Sequence, residues 1–312
     1  LNKRYTFMRC LKLIINLETK KCNLCIRNCN VDRDINLGVC QADKHLKVAR
    51  AQLHFWEEPC VSGKNGSGTV FFSHCNLKCV FCQNHCISQE FNGKTISIER
   101  LAAIFLELEK QGANNINLVT PTHYVPQIIK SIKIARNNNL TLPILYNTNS
   151  IDSLETIKAL DGLVDVYLPD FKYFDDKYAL AYSKINNYRE NALNVIKEMV
   201  RQVGAPSFND NGIIQKGVIV RHLLLPGLLF DSKKVIDLLY NTFHDDIYIS
   251  LMNQYVPMHN AYKYPKINSK LNPKHYDSII DYALSIGVKN GFIQGEGANT
   301  TDFVPSFKNE GV

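Results

Sequence analysis

Cys75-Asn-Leu-Lys-Cys79-Val-Phe-Cys82 decides how this chain is read, because three thiolates at that spacing can hold an iron-sulfur cube while leaving one iron without a protein ligand. Electron-transfer clusters saturate their irons with four cysteines, so a three-cysteine loop points to a cluster that binds something else. Zinc is the competing reading, since structural zinc takes four protein ligands and a fourth thiol, Cys86, follows. The residues before the loop weigh against it. Thr69-Val-Phe-Phe-Ser73 is a β-branched and aromatic run that predicts a strand. The cysteines then sit on a loop at that strand's carboxyl end, where parallel α/β folds carry their chemistry.

Working outward, ten cysteines stand at positions 10, 22, 25, 29, 40, 60, 75, 79, 82 and 86, and none follows. Gaps of two and three residues suit metal ligation rather than the disulfide scaffold of a small secreted domain. The expected compartment is therefore reducing, the cytoplasm or an organellar matrix; a first residue of Leu leaves a trimmed start or a missing leader open. Leu11-Lys-Leu-Ile-Ile-Asn16 lacks the length and cleavage site of a signal peptide. No apolar run approaches the roughly 18 residues of a membrane span. The formal charge of +7 is offset in large part once seven thiolates bind metal, and the basic residues are scattered rather than gathered into a stripe. No nucleic-acid or membrane partner is expected on that basis.

At 312 residues and 45% hydrophobic content the chain has enough apolar material for one sizeable core and a small appended module. The expected organisation is a Cys-rich metal-binding module over 1–50, a barrel over 51–295 and a tail over 296–312 that packs on the barrel. Strands are predicted at 69–73, 115–119, 143–146, 163–168, 217–225 and 246–251, with helices filling the crossovers. Ser97 caps and Gly112 stops one such helix, whose apolar face is Ile98, Leu101, Ala102, Phe105 and Leu108. The fold class is thus α/β, a partial or full (β/α) barrel with an N-terminal Cys-rich module. Gly63-Lys-Asn-Gly-Ser-Gly68 precedes a strand and lacks a Lys-Ser or Lys-Thr ending, so it is a turn and not a phosphate loop. Residues 206–212 form a surface loop interrupting one unit.

With the loop, its strand and the barrel pattern in place, the chain resembles the radical S-adenosylmethionine superfamily, and within it the proteins similar to pyruvate formate-lyase activating enzyme. His54-Phe-Trp-Glu-Glu-Pro59, Ser62-Gly63, Cys75 to Gln89, Asn117 to Tyr124, Tyr167 to Tyr173, Arg221 to Gly227, Ser250 to Tyr255 and Phe303-Val-Pro-Ser-Phe307 carry the likeness nearly end to end. The resemblance implies a barrel of the radical SAM type, with Cys75, Cys79 and Cys82 ligating a [4Fe-4S] cluster. S-adenosylmethionine would chelate the fourth iron and Phe81 would lie beside its adenine. Reductive cleavage would give methionine and a 5'-deoxyadenosyl radical that abstracts hydrogen from a substrate. The substrate is unknown; activation of a glycyl-radical protein is one reaction of this kind. The implied electron donor is a ferredoxin or flavodoxin. One departure matters: better-known members end the second strand in a Gly-Gly-Glu-like segment that meets the cofactor's amino group, whereas this chain has Thr120-Pro-Thr-His123. Thr120 and Thr122 are carried as the substitutes.

Other candidates fall just past strand ends. Asn147 and Asn149 are read as ribose contacts, with a plain turn as the alternative. Asp170 and Lys172 are either cofactor ligands or a structural ion pair. Arg221 is read as a partner for the methionine carboxylate through its planar fork, with a stabilising role as the alternative. His123, Tyr124, Tyr255 and His259 are read as packed or surface groups. Trp56 is expected to pack between module and barrel, and Glu57 and Glu58 to face the site or cap an element.

A second group, Cys22, Cys25, Cys29 and Cys40, supplies four thiolates within nineteen residues. Structural zinc is the first reading, because the module is too small to bury its own core; an auxiliary iron-sulfur cluster that feeds electrons to the first is the second. Cys10, Cys60 and Cys86 are left as buried or incidental thiols. Two rival functions follow: a zinc-stabilised binding protein, and an electron carrier without cofactor cleavage. A barrel of some 200 residues would be surplus to a carrier.

Overall fold

The computed structural model describes residues 21–295, 297–301 and 304–312; Cys10, the run Leu11–Asn16 and Phe303 lie outside the described residues. In chain order the elements are β1 (Leu46–His54), α1 (Pro59–Ser62), β2 (Ser67–Phe72), α2 (His85–Ser88), β3 (Lys94–Ile96), α3 (Ile98–Lys110) and β4 (Ile116–Val119). Next come α4 (Val125–Asn137), β5 (Ile144–Thr148), α5 (Leu154–Ala159), β6 (Val166–Pro169), α6 (Asp176–Ser183) and α7 (Tyr188–Val203). The last are β7 (Ser207–Phe208), β8 (Ile214–Leu223), α8 (Leu229–Phe243), β9 (Tyr248–Met252), α9 (Pro273–Ser285) and β10 (Gly291–Ile293).

Local chemistry sets the helix ends. Ser97 Oγ accepts the Arg100 N–H to open α3, and Gly112 at φ +86° turns the chain out of it. Ser153 does the same for α5, Asp175 for α6 and Asn272 for α9. The predicted face of α3 is buried at Leu101, Ala102, Phe105 and Leu108.

The sheet runs β3-β1-β2-β4-β5-β6-β8-β9-β10, with the two-residue β7 beside β8. From β2 onward each main strand lies parallel to its predecessor, while β1 is antiparallel to both β2 and β3. Such single winding, with helical crossovers between parallel neighbours, is barrel topology rather than a doubly wound open sheet. Among the described residues β10 and β3 end the order and do not pair with each other, so the barrel is partial. The tail runs along β1, where Asn309 N–H donates to Ala49 O and the Ala51 N–H to Glu310 O. Phe307 meets Phe71 edge-on at 5.3 Å. Residues 304–312 thus lie against β1 and β2.

Each predicted strand has a counterpart, shifted by one to three residues at most ends. Two antiparallel strands, β1 and β3, were not anticipated, and β1 starts ahead of the residue-50 limit of the N-terminal module. The period-two alternation of strands divides the interior. Leu145, Val166, Leu168, Ile214 and Ile219 pack with Cys60 and Val61 of α1 in a small apolar cluster. Leu118, Tyr146, Tyr167, Val220 and Leu251 belong to the large core they share with the helices. Cys60 is thus the buried apolar thiol expected. Gly63 and Gly66 have positive φ, and a Cβ on Gly63 would stand 2.5 Å from Ile213 Cδ1, which confirms a tight turn there.

Candidate active site

A pocket of about 600 Å³ opens beyond the carboxyl ends of the parallel strands. It is lined by Cys79, Phe81 and Cys82 of the loop after β2, Thr120 after β4, Asn147 of β5, Asp170 and Lys172 after β6, Arg221 of β8 and Ser250 of β9. The sequence candidates Phe81, Thr120, Asn147, Asp170, Lys172 and Arg221 are therefore brought together.

The cysteine loop is pinned from several sides. Val80 and Lys78 donate their N–H groups to the last carbonyls of α6, those of Tyr182 and Ser183, at 2.8 and 3.3 Å. Asn260 N–H donates to Val80 O, and Gln89 Nε2 to Cys79 O at 3.0 Å. Each of the three sulfurs also meets a polar partner: Ser183 Oγ lies 3.1 Å from Cys79 Sγ, Ser88 Oγ 3.3 Å from Cys82 Sγ, and Asn149 Nδ2 3.5 Å from Cys75 Sγ. Leu77 N–H donates to Cys75 Sγ as well. Burial, followed by the charges of Cys79 and Cys82, pushes the Cys75 thiol up to about 12; burial and Cys79 push Cys82 up to about 11. Thiols held high chiefly by burial become thiolates only when a cation displaces their protons.

These residues fit a cube better than a single ion. Among the described residues no three His, Cys, Asp or Glu side chains converge on one ion position, and in a cube each thiolate takes a different iron, which needs a wider spacing. Cys86, the thiol that would have closed a zinc site, packs instead with Ala49, Phe71 and Ile87.

Opposite the loop, Lys172 Nζ donates to Asp170 Oδ2 at 2.6 Å. Burial lowers the Lys172 ammonium, but Asp170 and then Cys79 outweigh it, so the group is held charged. Thr120 takes φ +57°, a left-handed conformation costly for a β-branched residue; its N–H donates to Asn147 O across the two strand ends.

Three sequence expectations are corrected by the side-chain geometry. The Arg221 fork is already engaged, Nε with Glu58 Oε1 at 3.0 Å and Nη2 with Glu57 Oε2 at 2.6 Å and with Glu58 Oε2. It does not offer that face to a cofactor carboxylate, because buried Glu58 and part-buried Glu57 satisfy it first. Asn149 turns away from the pocket to donate to Asn76 Oδ1 at 2.7 Å and to face Cys75 Sγ, so it buttresses the loop rather than reaching a ribose. Thr122 is 1% exposed and lines the four-cysteine cavity instead, because the chain winds into a 3-10 turn right after Thr120.

Glu57 and Glu58 do face the site, as one of the two readings had it. Burial raises the Glu58 carboxyl, but the Arg221 guanidinium and hydrogen bonds from Arg221 and Ser250 prevail and hold it below the usual range. Trp56 does not pack between module and barrel: it stands 62% exposed at the pocket mouth beside Phe55 and Ile293. Tyr255 lines the pocket with Phe81, whereas His123 and Tyr124 are packed groups. Ser183 and Ser88 were missed, since a lone serine on a short helix carries no signal in sequence.

Cys22, Cys25, Cys29 and Cys40 line one small cavity with Arg27, Asn76 and Thr122. The segment docks on the turn after β5, where Ile26 N–H donates to Ile151 O and Ser153 N–H to Leu24 O.

The Radical SAM superfamily profile matches residues 69–251, from β2 into β9. The chain belongs to that superfamily. A [4Fe-4S] cluster and S-adenosylmethionine are the cofactors this implies, and this radical SAM chain is an enzyme. It is 31% identical over 274 residues to uncharacterized protein MJ0674 of Methanocaldococcus jannaschii, covering 85% of this chain and 74% of that one. In fold it is similar to Streptococcus suis SuiB bound to S-adenosylmethionine, with a TM-score of 0.50, 16% identity and 73% of this chain covered. The match spans 50% of the SuiB chain. The maturase HydG from Carboxydothermus hydrogenoformans aligns at a TM-score of 0.48 with 14% identity over 76% of this chain and 56% of that one. No described helix is long and apolar enough to cross a membrane.

Proposed function

We propose that this radical SAM enzyme abstracts hydrogen from a protein substrate, in the branch similar to pyruvate formate-lyase activating enzyme, with a ferredoxin or flavodoxin as electron donor. The observation that carries this is the convergence, on one pocket of about 600 Å³, of two cysteines of the cluster loop, Phe81 and charged strand ends. Cys75, Cys79 and Cys82 would hold the [4Fe-4S] cluster, which with S-adenosylmethionine bound supplies the electron that yields methionine and a 5'-deoxyadenosyl radical. The chain's own residues bind and orient. Asp170 and Lys172, paired at 2.6 Å, match in charge the ammonium and carboxylate of an amino acid. Phe81, 5.7 Å from Tyr255, offers a ring face to an adenine. Thr120 and Asn147 supply polar atoms at the strand ends. Exposed Phe55, Trp56 and Ile293 at the pocket mouth support a macromolecular substrate, since clustered exposed apolar side chains are surface that a partner covers.

The test is 5'-deoxyadenosine formation by anaerobically reconstituted protein with dithionite. Wild type should make it and Cys79→Ala should not, while circular dichroism stays unchanged. Product from Cys79→Ala, or none from iron-loaded wild type, would overturn the reading. An electron carrier would redden with iron yet make no product; a zinc-stabilised binding protein would stay colourless.

A further inference from the structure

We propose that Cys22, Cys25, Cys29 and Cys40 hold a second iron-sulfur cluster that hands electrons to the Cys75–Cys79–Cys82 cluster through Arg27 and the Asn76 backbone. The inference rests on the radical reading above, and three independent observations carry it.

The first is space. The four cysteines surround a cavity of about 20 Å³, above the roughly 10–15 Å³ that one water needs. A tetrahedral zinc held at about 2.3 Å by four sulfurs leaves no such void. The four thiols also do not converge on a single ion position. Gly38 belongs to this cradle: a Cβ there would stand 3.1 Å from Cys29 Sγ.

Unspent donors are the second. Arg27 Nη2 and Asn76 Nδ2 are buried without a hydrogen-bond partner, and both residues line the cavity. Asn76 is 1% exposed. A buried donor left unmatched is costly, and bridging sulfides plus thiolates are acceptors that would satisfy it; hydrogen bonds to sulfur also tune a cluster's potential. Val39 N–H already donates to Cys29 Sγ at 3.4 Å.

The third is connectivity. Arg27 Nε donates to Asn76 O at 2.7 Å. Arg27 is two residues from Cys25, and Asn76 adjoins Cys75. One hydrogen bond thus joins the two cysteine groups along an otherwise covalent route. Structural zinc, which has no redox chemistry, would make no use of that link. One electron would enter from a reduced ferredoxin-type donor, lower the charge of the four-cysteine cluster by one, and leave it for the Cys75–Cys79–Cys82 cluster. The relay is restored and no atom moves.

The test uses the full-length chain, reconstituted with iron and sulfide under anaerobic conditions. Wild type should hold about eight irons and no zinc, and a Cys75→Ala, Cys79→Ala, Cys82→Ala variant about half of that iron, with a dithionite-generated EPR signal insensitive to S-adenosylmethionine. Zinc in place of iron in either protein, or no metal in a folded triple variant, overturns the cluster. Arg27→Met removes this one hydrogen bond and leaves all seven cysteine ligands in place. It should keep the wild-type iron content while slowing EPR-detected reduction of the Cys75–Cys79–Cys82 cluster by reduced ferredoxin at least ~10-fold. An unchanged rate overturns the route. Dithionite-driven 5'-deoxyadenosine formation in the Arg27→Met protein reports separately on the radical reading, so the two can fail independently.

Discussion

Replacing Ser183 by Ala should lower the reduction potential of the open-iron cluster. Tyr173 Oη lies 2.8 Å from Ser183 Oγ, which lies 3.1 Å from Cys79 Sγ, and both Tyr173 and Ser183 are buried. A ligating thiolate has no proton, so the serine hydroxyl must donate to sulfur and the tyrosine must donate to the serine. Adding an electron puts more negative charge on sulfur, so this donation is stronger in the reduced cluster. A difference of about 1 kcal/mol is the scale of one net hydrogen bond. With 59 mV for each tenfold change in a one-electron couple, that difference corresponds to a drop of about 40 mV. An EPR-monitored redox titration would read it. Ser183→Ala also strands the Tyr173 hydroxyl, so stability should fall by about 1–3 kcal/mol, and the double change with Tyr173→Phe should recover part of that without restoring the potential. A potential that does not move in Ser183→Ala would refute the reasoning, whatever happened to stability.

Four further outcomes follow from buried groups. Arg221→Met leaves Glu57 and Glu58 uncompensated in the pocket and should cost about 3–5 kcal/mol in urea unfolding. Because the Glu58 carboxyl is held below its usual range, its contribution is present above the ordinary carboxylate pKa of 4.5 and is lost as pH falls further; Glu58→Gln should flatten that acid limb, and an unchanged limb would count against the pairing. His222 sits between Phe171 O and Ser232 Oγ, and burial lowers its imidazole from 6.5 to about 4. The unfolded chain then binds a proton that the native state refuses, so stability should fall as pH drops from 6.5 towards 4, with a smaller slope in His222→Gln measured by denaturation at stepped pH. Gly68→Ala puts a Cβ 2.7 Å from the Asn115 carbonyl where β2 meets β4; overpacking of about 1–3 kcal/mol is expected in thermal melts.

Much of this was legible in the chain because the signals were local. The β-branched run 69–73, the Ser97 cap and the cysteine spacings each state their role within a few residues. The residues that failed did so for a common reason. Thr122, Asn149 and Arg221 were placed correctly at strand ends, but a strand end does not say which way a side chain turns, and that was decided by partners far off in sequence: Asn76 for Asn149, Glu57 and Glu58 for Arg221. Likewise β1 alternates well, in Leu46-Lys-Val-Ala-Arg-Ala-Gln-Leu-His54, yet its place between β2 and β3 is a property of pairing and not of pattern.

The tail's bond to β1 has a consequence in time. Arg50 and Ser306, joined by a hydrogen bond, are 256 positions apart, whereas from β2 to β6 and from β8 to β10 each parallel strand needs only the one made before it. During synthesis the parallel layers can therefore stack as they emerge from the ribosome, and the first strand must wait for nearly the whole chain before its outer edge is covered. Until then the pocket lacks its wall of Val304 and Pro305. In that interval the cysteine side of the pocket is open in a direction that the docked tail later closes, so a cluster has a wider approach before residues 304–312 settle than after.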